Sequence, residues 1–374
     1  MIVSLQRIGD YEVERWVRGY GREVCLATLG RGDAKTHHIL ALFELGEESA
    51  RRLGEEIERY RSLDHPNLGR VERCFDHEDW RVVVVEYLPG TSLQRVVELG
   101  TERRALVDPL VGCHIGEQLF SALSAAHSAR DQHDQVVPLV HANLGPDQVL
   151  LSWKGSIKIV GLGLTSIYHL ASALEEQPPS ALPYVAPEVR KGGALTVRGN
   201  VFSVAAMVWS LLAEEPFPSD DLPAKRLSEI RGDVPSVVVD ALDRALAPSL
   251  LDRHITAHNL AATFSSACDK LGRDSSHALT AHLDTLRMSV VDDDVLAPAE
   301  AMPSARLSSV PTLSLPPILS LPPMSDRFAM VSDLPPRGAI TADLADFLVG
   351  ELVQPEIDIT DESIPTIPAP PPED

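Results

Sequence analysis

The chain has few cysteines and no long apolar run. Its four cysteines, Cys25, Cys74, Cys113 and Cys268, are scattered over 374 residues, and no two have the spacing of metal ligands. Scattered cysteines of this kind indicate reduced thiols rather than a disulfide framework or a zinc site. No stretch approaches the roughly eighteen consecutive apolar residues of a membrane helix, so we expect no membrane span.

Positive charge is also scarce. The sequence has 33 Lys plus Arg against 54 Asp plus Glu, a net charge of −21, which argues against nucleic acid or an anionic membrane as the main partner. The first residues, Met1 to Arg7, lack an apolar export core and a cleavage site, so we expect a cytoplasmic protein. A hydrophobic content of 44% and a mean hydropathy of −0.01 are typical of a globular chain that buries a core.

Acidic residues and prolines are concentrated towards the C-terminus. From residue 275 onward there are 4 Arg, no Lys and 16 Asp plus Glu, a net charge of −12, together with 15 of the 29 prolines. The sequence Leu-Ser-Leu-Pro-Pro occurs at 313–317 and again at 319–323. Because prolines interrupt helices and strands and like charges repel, we predict a disordered, acidic, proline-rich tail over 291–374. The tail is either a passive solubilising segment or a docking segment, and 340–353 has the pattern of a short amphipathic helix.

The remaining sequence divides into a strand-rich part and a helix-rich part. Alternating apolar and polar residues with intervening glycines predict strands at 11–14, 24–27 and 39–43. Further strands are predicted at 69–76, at 80–87 with its run Val82 to Val85, and at 148–151 and 156–160. Periodicity predicts helices at 48–63, 104–129, 198–213, 235–247 and 256–272. The chain is therefore predicted to be an α+β protein of two lobes. They are a small β-rich lobe with one main helix at 1–88 and a larger helical lobe at 89–274, followed by a short helix or linker at 275–290 and the tail at 291–374.

Eight short motifs stand in a fixed order along residues 10–272. They are Trp16 to Ala27 with its glycines, Leu40-Ala41-Leu42-Phe43, Glu56 nine residues before His65-Pro66-Asn67-Leu68, Val85 to Gly90, Val140 to Gln148, Gly161-Leu162-Gly163, Ala186-Pro187-Glu188, and Arg253. Their order and spacing resemble those of a bacterial Ser/Thr protein kinase domain. The resemblance implies the two-lobed protein kinase fold with its cleft between the lobes.

The resemblance also implies roles for particular positions, and several residues there lack the family's chemistry. Phosphoryl transfer by this fold needs a lysine, metal ligands and a base. Phe43 occupies the lysine position, Asn143 the base position, and Gln148 and Gly161 two metal-ligand positions. Of the three glycines of the phosphate loop, Gly19 remains. Because an aromatic ring carries no charge, an amide accepts no proton at neutral pH and glycine has no side chain, the resemblance implies a pseudokinase without a magnesium site.

Other matched positions are structural. The resemblance assigns Glu56, His141, Glu188 and Arg253 to the framework, and it implies an ion pair between Glu188 and Arg253.

Four apolar residues match the walls of the family's adenine slot, namely Val24, Ala41, Val85 and Leu150. They either retain a purine site or simply fill the core between the lobes. No cofactor is therefore expected, and ATP binding stays open.

We expect a catalytically inactive protein kinase homologue that acts as a signalling scaffold or allosteric partner. Its partner would be a protein, such as an active kinase or a signalling complex. One alternative is a sensor that binds nucleotide without metal. The other is an active Ser/Thr protein kinase with an atypical site.

Overall fold

The computed structural model describes residues 6–17, 23–30, 34–103, 107–131, 133–164, 182–218, 224–272 and 274–287. All of these residues belong to one compact unit, Met1–Ser304. The tail predicted at 291–374, with its repeat and its helical pattern, lies outside the described residues. No helix in the described ranges is long and apolar enough to cross a bilayer.

The small lobe contains a six-stranded antiparallel sheet with the order β1-β2-β3-β4-β6-β5. Its strands are β1 (Arg7–Ile8), β2 (Tyr11–Val17), β3 (Glu23–Leu29), β4 (Thr36–Glu44), β5 (Val71–His77) and β6 (Trp80–Glu86). Side chains alternate between the two faces of a strand, so successive residues of β4 enter different cores. Leu40 and Leu42 belong to one core, whereas Ala41 and Phe43 belong to the larger core that continues into the second lobe.

Helix α1 (Glu47–Arg61) covers the face of the sheet that carries Phe43. Leu53, Ile57 and Tyr60 are buried at helical spacing, which places them on one side of the helix. The opposite side carries exposed ion pairs such as Glu48 with Arg51 and Arg52. Exposed pairs of this kind stabilise little, so burial of the apolar side holds the helix in place.

The large lobe is mainly helical, as predicted. It contains α2 (Leu93–Arg103), α3 (Pro109–His127), α4 (Pro187–Arg190), α5 (Val197–Ala213), α6 (Leu227–Ile230), α7 (Ser236–Ala245), α8 (Ala257–Leu271) and α9 (Ser275–Arg287). A three-stranded sheet, β7 (Gly90–Ser92), β8 (Val149–Ser152) and β9 (Ile157–Ile159), lies at its edge. Helix α5 is buried on almost all sides and α3 packs against α5, α8 and α9. The predicted small β-rich lobe with one main helix and the larger helical lobe are thus confirmed.

One predicted helix boundary was wrong. The sequence pattern placed the start of the helix at 104, whereas α3 begins at Pro109. The Asp108 side chain accepts a hydrogen bond from the backbone N–H of Leu110, at 2.9 Å, and Pro109 takes the first helical position. An N-cap aspartate followed by proline is a strong start signal because it satisfies a terminal N–H and presets the backbone.

A loop of the small lobe is hydrogen-bonded to the large lobe. The Asn67 side chain donates to the carbonyl of Ile157 (2.9 Å), and Ile159 N–H donates to the carbonyl of Asn67 (2.9 Å). Gly69 N–H donates to the carbonyl of Ile159 (2.8 Å). The loop that follows α1 therefore forms part of a continuous backbone network with β9.

Candidate functional site

Phe43 lies near the end of β4, opposite Arg81 on β6. Its side chain is 3% exposed and belongs to the same apolar core as Leu53, Ile57 and Tyr60 of α1. An ammonium group about 4 Å from a phosphate charge would contribute roughly 4 kcal/mol of Coulomb attraction at a near-surface dielectric. The Phe43 ring contributes no such attraction, and its contacts are those of a core residue.

His141 connects three parts of the large lobe. Its backbone N–H donates to Asn200 Oδ1 on α5 (2.7 Å), and its carbonyl accepts from Asn200 Nδ2 (2.9 Å). The ring Nε2 lies 2.8 Å from the carbonyl oxygen of Val160, and Asn143 N–H donates to Nδ1 at 3.2 Å. Because a carbonyl oxygen only accepts, Nε2 carries the proton and Nδ1 is unprotonated. His141 therefore acts as a neutral structural tie.

Asn143 follows in the same loop and is 8% exposed. Its Oδ1 atom is buried and has no hydrogen-bond partner among the described residues. An amide oxygen is a weak base that stays unprotonated near neutral pH, so Asn143 offers an acceptor for a hydrogen bond but no site for a transferred proton.

Gln148 and Gly161 occupy the positions that the resemblance assigns to metal ligands. Gln148 ends the short 3-10 helix Pro146–Gln148, and its Nε2 donates to Oδ2 of the neighbouring Asp147 at 2.6 Å. Gly161 has a φ of +85°, a conformation that glycine adopts without steric cost. Magnesium prefers carboxylate and phosphate oxygens. Gln148 supplies one amide oxygen, and Gly161 has no side chain and supplies no ligand. The residues present do not fit a magnesium site.

The four slot residues lie on strands of both lobes. Val24 on β3 pairs with Ala41 on β4, and Val85 lies on β6, while Leu150 lies on β8 of the large lobe. Ala41 is buried, whereas Val24, Val85 and Leu150 are only half-buried. The slot walls therefore keep apolar surface that the core does not cover. Gly19, the remaining glycine of the predicted phosphate loop, lies outside the described residues.

Glu188 and Arg253 form the ion pair that the resemblance implied. Arg253 Nη1 and Nη2 donate to the two carboxylate oxygens of Glu188 at 2.8 and 3.2 Å. The guanidinium is 0% exposed, donates further to the carbonyls of Ala247 and Arg198, and lies 4.9 Å from the ring centre of Phe202. Its Nε, Nη1 and Nη2 atoms thus all have acceptors, and one face of the cation lies on an aromatic ring. Glu56, the other acidic framework position, lies half-buried on α1.

Two polar features of this region were not predicted. Lys158 on β9 donates to Glu86 Oε1 (2.7 Å) and to the carbonyl of Leu68 (3.3 Å), so it joins the end of β6 to the loop after α1. His127 at the end of α3 is buried at Nε2, which has no hydrogen-bond partner among the described residues. Burial lowers the pKa of His127 to about 4, and the Asn200 side chain opposes that shift. A lysine between the isoleucines of β9 is the one sequence signal that pointed to either feature.

A cavity of about 820 Å³ lies beside the Lys158–Glu86 pair. Its walls include Tyr60, Pro66 and Arg70, and they contain none of the residues that the sequence assigned to a site. This cavity is therefore separate from the predicted adenine slot.

The family profile of the protein kinase domain matches residues 33–263. The chain belongs to the protein kinase family. The matched range covers the helix α1, the His141 loop, the Gly161–Gly163 segment and the Glu188–Arg253 pair. It begins after β3, so Gly19 lies outside the matched range.

Known relatives of this kinase domain include bacterial Ser/Thr kinases. The serine/threonine-protein kinase PrkC of Bacillus subtilis (strain 168) is 24% identical over 332 residues, which are 83% of this chain and 48% of PrkC. The probable serine/threonine-protein kinase PknB of Lactococcus lactis is 23% identical over 198 residues, 52% of this chain and 30% of PknB. The chain thus spans half or less of these relatives. The crystal structure of the Mycobacterium tuberculosis PknI kinase domain has the same fold, with a TM-score of 0.53, 22% identity and coverage of 71% of this chain and 99% of that one.

Proposed function

We propose that this kinase domain is a pseudokinase, a catalytically inactive homologue that acts as a signalling scaffold or allosteric partner. The observation that carries the proposal is the buried Phe43 ring, packed in the apolar core where the resemblance places the phosphate-binding lysine. A side chain in this position can neither attract a phosphate nor respond to one.

Three further positions support the proposal independently. Asn143 has no proton-accepting group, Gly161 has no side chain, and the Gln148 amide donates to Asp147. Phosphate binding, proton transfer and metal binding are distinct requirements of phosphoryl transfer. Since each requirement lacks its own group, one compensating residue would not restore activity.

The activity test is transfer of radiolabelled phosphate from ATP to the chain itself and to casein, with Mg²⁺ and separately with Mn²⁺. We expect no transfer above the background without protein. Transfer that depends on metal and disappears in Asn143→Ala would overturn the proposal and favour an active Ser/Thr kinase with an atypical site. Transfer that persists in Asn143→Ala would also overturn the proposal, unless a mock purification from cells that lack the chain shows the same activity and so assigns it to a contaminating kinase.

The proposed partner is a protein, such as an active kinase or a signalling complex. The corresponding test is titration of purified active Ser/Thr kinases from the same organism with this chain, with autophosphorylation rate and sedimentation as readouts. We expect a stable complex and a changed rate for at least one kinase. If none of them binds at micromolar concentrations, the allosteric role is wrong.

A metal-independent nucleotide sensor is the second candidate. The observation that favours it is the half-buried apolar surface of Val24, Val85 and Leu150 around the cleft. A ligand that binds the native state raises the melting temperature with its concentration. We expect millimolar ATP to stabilise the chain equally with and without Mg²⁺ if this candidate holds, and to have no effect if the slot only fills the core. Leu150→Trp, which replaces a half-buried slot residue by a much larger side chain, is the matched variant that should abolish the shift.

A further inference from the structure

A threonine, a histidine and a glutamate form a hydrogen-bonded chain on the small lobe, apart from the residues of the predicted kinase site. Thr36 Oγ1 lies 2.8 Å from His38 Nε2, and His38 Nδ1 lies 2.7 Å from Glu72 Oε2. Successive side chains of a strand point to opposite faces, so Thr36 and His38 lie on the face of β4 opposite to the one that carries Phe43. The three side chains therefore belong to a separate surface of the sheet.

A β-bulge brings Glu72 to this histidine. The sheet order places β6 between β4 and β5, and the pairing of β5 with β6 shifts register between Val71 and Arg73. A bulge leaves one extra residue outside the regular ladder and redirects its side chain. Glu72 is that extra residue, and its carboxylate reaches across β6 to the imidazole.

The hydrogen bonds determine which groups donate. A carboxylate only accepts, so Nδ1 of the neutral His38 ring carries the proton and Nε2 is the unprotonated nitrogen. The Thr36 hydroxyl therefore donates to Nε2, and its other acceptor, the Leu29 carbonyl, is more distant at 3.4 Å. The His38 side chain is 10% exposed and makes an edge contact with the Tyr11 ring, whereas Thr36 is exposed. The base is thus held in place while the hydroxyl stays accessible.

We infer that Thr36 is an activated nucleophile that takes up an acyl group from an activated ester or thioester. A hydroxyl is a weak nucleophile until an adjacent base accepts its proton, and a base that is oriented by a third group is the arrangement that activates it. The Thr36 oxygen bonds to the carbonyl carbon while its proton passes to His38 Nε2. The bond to the leaving oxygen or sulfur breaks, that atom takes the proton, and an ester remains on Thr36. Glu72 is the positioning residue that orients the imidazole and stabilises its charged form.

The test is the reaction of the full chain with p-nitrophenyl acetate. Peptide mass spectrometry assigns the acetylated residues, and removal of the acetyl group by hydroxylamine identifies an ester. Thr285 is the internal reference, because it is exposed and its hydroxyl donates to the backbone carbonyl of Ala281 at 3.0 Å. We expect Thr36 to be acetylated about a hundredfold faster than Thr285 or more, since a positioned base contributes at least that factor. Equal rates at the two threonines would overturn the inference.

Three variants test the three groups separately. Thr36→Val keeps the shape of the side chain and should leave no ester at this position. His38→Gln should slow acetylation of Thr36 about a hundredfold, and Glu72→Gln about tenfold or more, with the reference rate unchanged. His37→Gln is the matched control, because the neighbouring His37 lies 3.6 Å from Glu14 and should have no effect on the rate. If His37→Gln and His38→Gln slow the reaction equally, His38 is not the base.

Melting temperatures distinguish a lost base from a lost fold. A slower reaction in Glu72→Gln at an unchanged melting temperature supports the positioning role, and an unchanged rate contradicts it. Should His38→Gln unfold, the comparison of Thr36 with Thr285 in the original chain still decides the inference. The inference does not rest on the proposed function, since Thr36 and His38 lie on the other face of β4, and phosphate transfer would overturn the pseudokinase proposal alone.

Discussion

At the scale of single residues, Asn200 makes a pair of hydrogen bonds that aspartate cannot make. Its amide both accepts from the N–H of His141 and donates to the carbonyl of the same residue. Asn200→Asp would keep the acceptor, lose the donor and place a charge in a buried position. We expect the free energy of unfolding to fall by about 1–3 kcal/mol at pH 8, measured by denaturant titration.

The same substitution has a matched control and a second readout. Asn259→Asp makes the same chemical change at an exposed position of α8 and should alter stability by less than about 0.5 kcal/mol. Because the new carboxylate would lie beside His127, it should raise the pKa of that imidazole, and the loss of stability should be smaller at pH 5. Equal effects of the two variants would contradict the argument from burial.

Arg253 gives the largest expected effect of a single residue. Arg253→Met removes a guanidinium that is 0% exposed and leaves the Glu188 carboxylate without its bidentate partner. Breaking a buried pair in this way costs about 3–5 kcal/mol. Arg226→Met is the control, because Arg226 pairs with Asp240 and Asp243 at the surface and should change stability by about 1 kcal/mol or less. If urea unfolding gives similar losses of unfolding free energy for the two variants, the buried ion pair stabilises the protein no more than the exposed one.

At the scale of elements, the docking of α9 on α3 is expected to depend on pH. His114 on α3 lies 3.0 Å from the Ser275 hydroxyl, and burial lowers the pKa of His114 more strongly than Glu117 and Asp274 raise it. Burial also lowers the pKa of His282 on α9, with Asp108 opposing. Because the pKa of each histidine is lower in the docked state, the undocked state binds more protons at acidic pH. The docking of α9 on α3 is therefore most stable above about pH 6.5 and weakens as the pH falls below that value.

Hydrogen exchange of 275–287 between pH 7.5 and pH 5.5 measures this effect after correction for intrinsic exchange rates. We expect protection of α9 to fall with pH. His114→Gln, which keeps a polar side chain that does not titrate in this range, should flatten the profile. His277→Gln changes an exposed histidine of the same helix and should leave the profile as it is. A profile unaffected by His114→Gln would contradict the assignment.

Elements with a clear period were predictable, and those defined by distant contacts were not. The strand β6 follows from its four consecutive valines, and the helix α1 follows from apolar residues at helical spacing, both within one segment. The short strands β1 and β7, with 2 and 3 residues, contain too few residues to show a period. Lys158 and Glu86 are 72 residues apart, so no local sequence pattern predicts that they pair. At the site, the identities of Phe43 and Gly161 were readable from motif order, whereas the burial of Phe43 and the hydrogen bond of the His141 ring to the Val160 carbonyl required the fold.

At the scale of the whole molecule, the cleft offers a gain-of-function test. Phe43→Lys combined with Gly161→Asp would return a cation and a carboxylate to the cleft. The φ of +85° at residue 161 is tolerated by aspartate better than by most side chains, although Phe43→Lys removes apolar packing. We expect a lower melting temperature without ligand and a rise of several degrees with Mg-ATP that the original chain lacks. If neither metal nor nucleotide stabilises the double variant, the slot walls of Val24, Ala41 and Leu150 do not enclose a purine.

The hydrogen bonds between the loop at 65–69 and β9 make the boundary between the lobes unsuitable as a place to divide the protein. A fragment that ends at residue 88 would keep Asn67 and Gly69 but lose Ile157 and Ile159, with which they form hydrogen bonds. A fragment that begins at residue 89 would lose the complementary half of the same contacts. Neither fragment should fold alone. The two fragments mixed together should reassemble, because only then does each backbone donor of this contact have its acceptor.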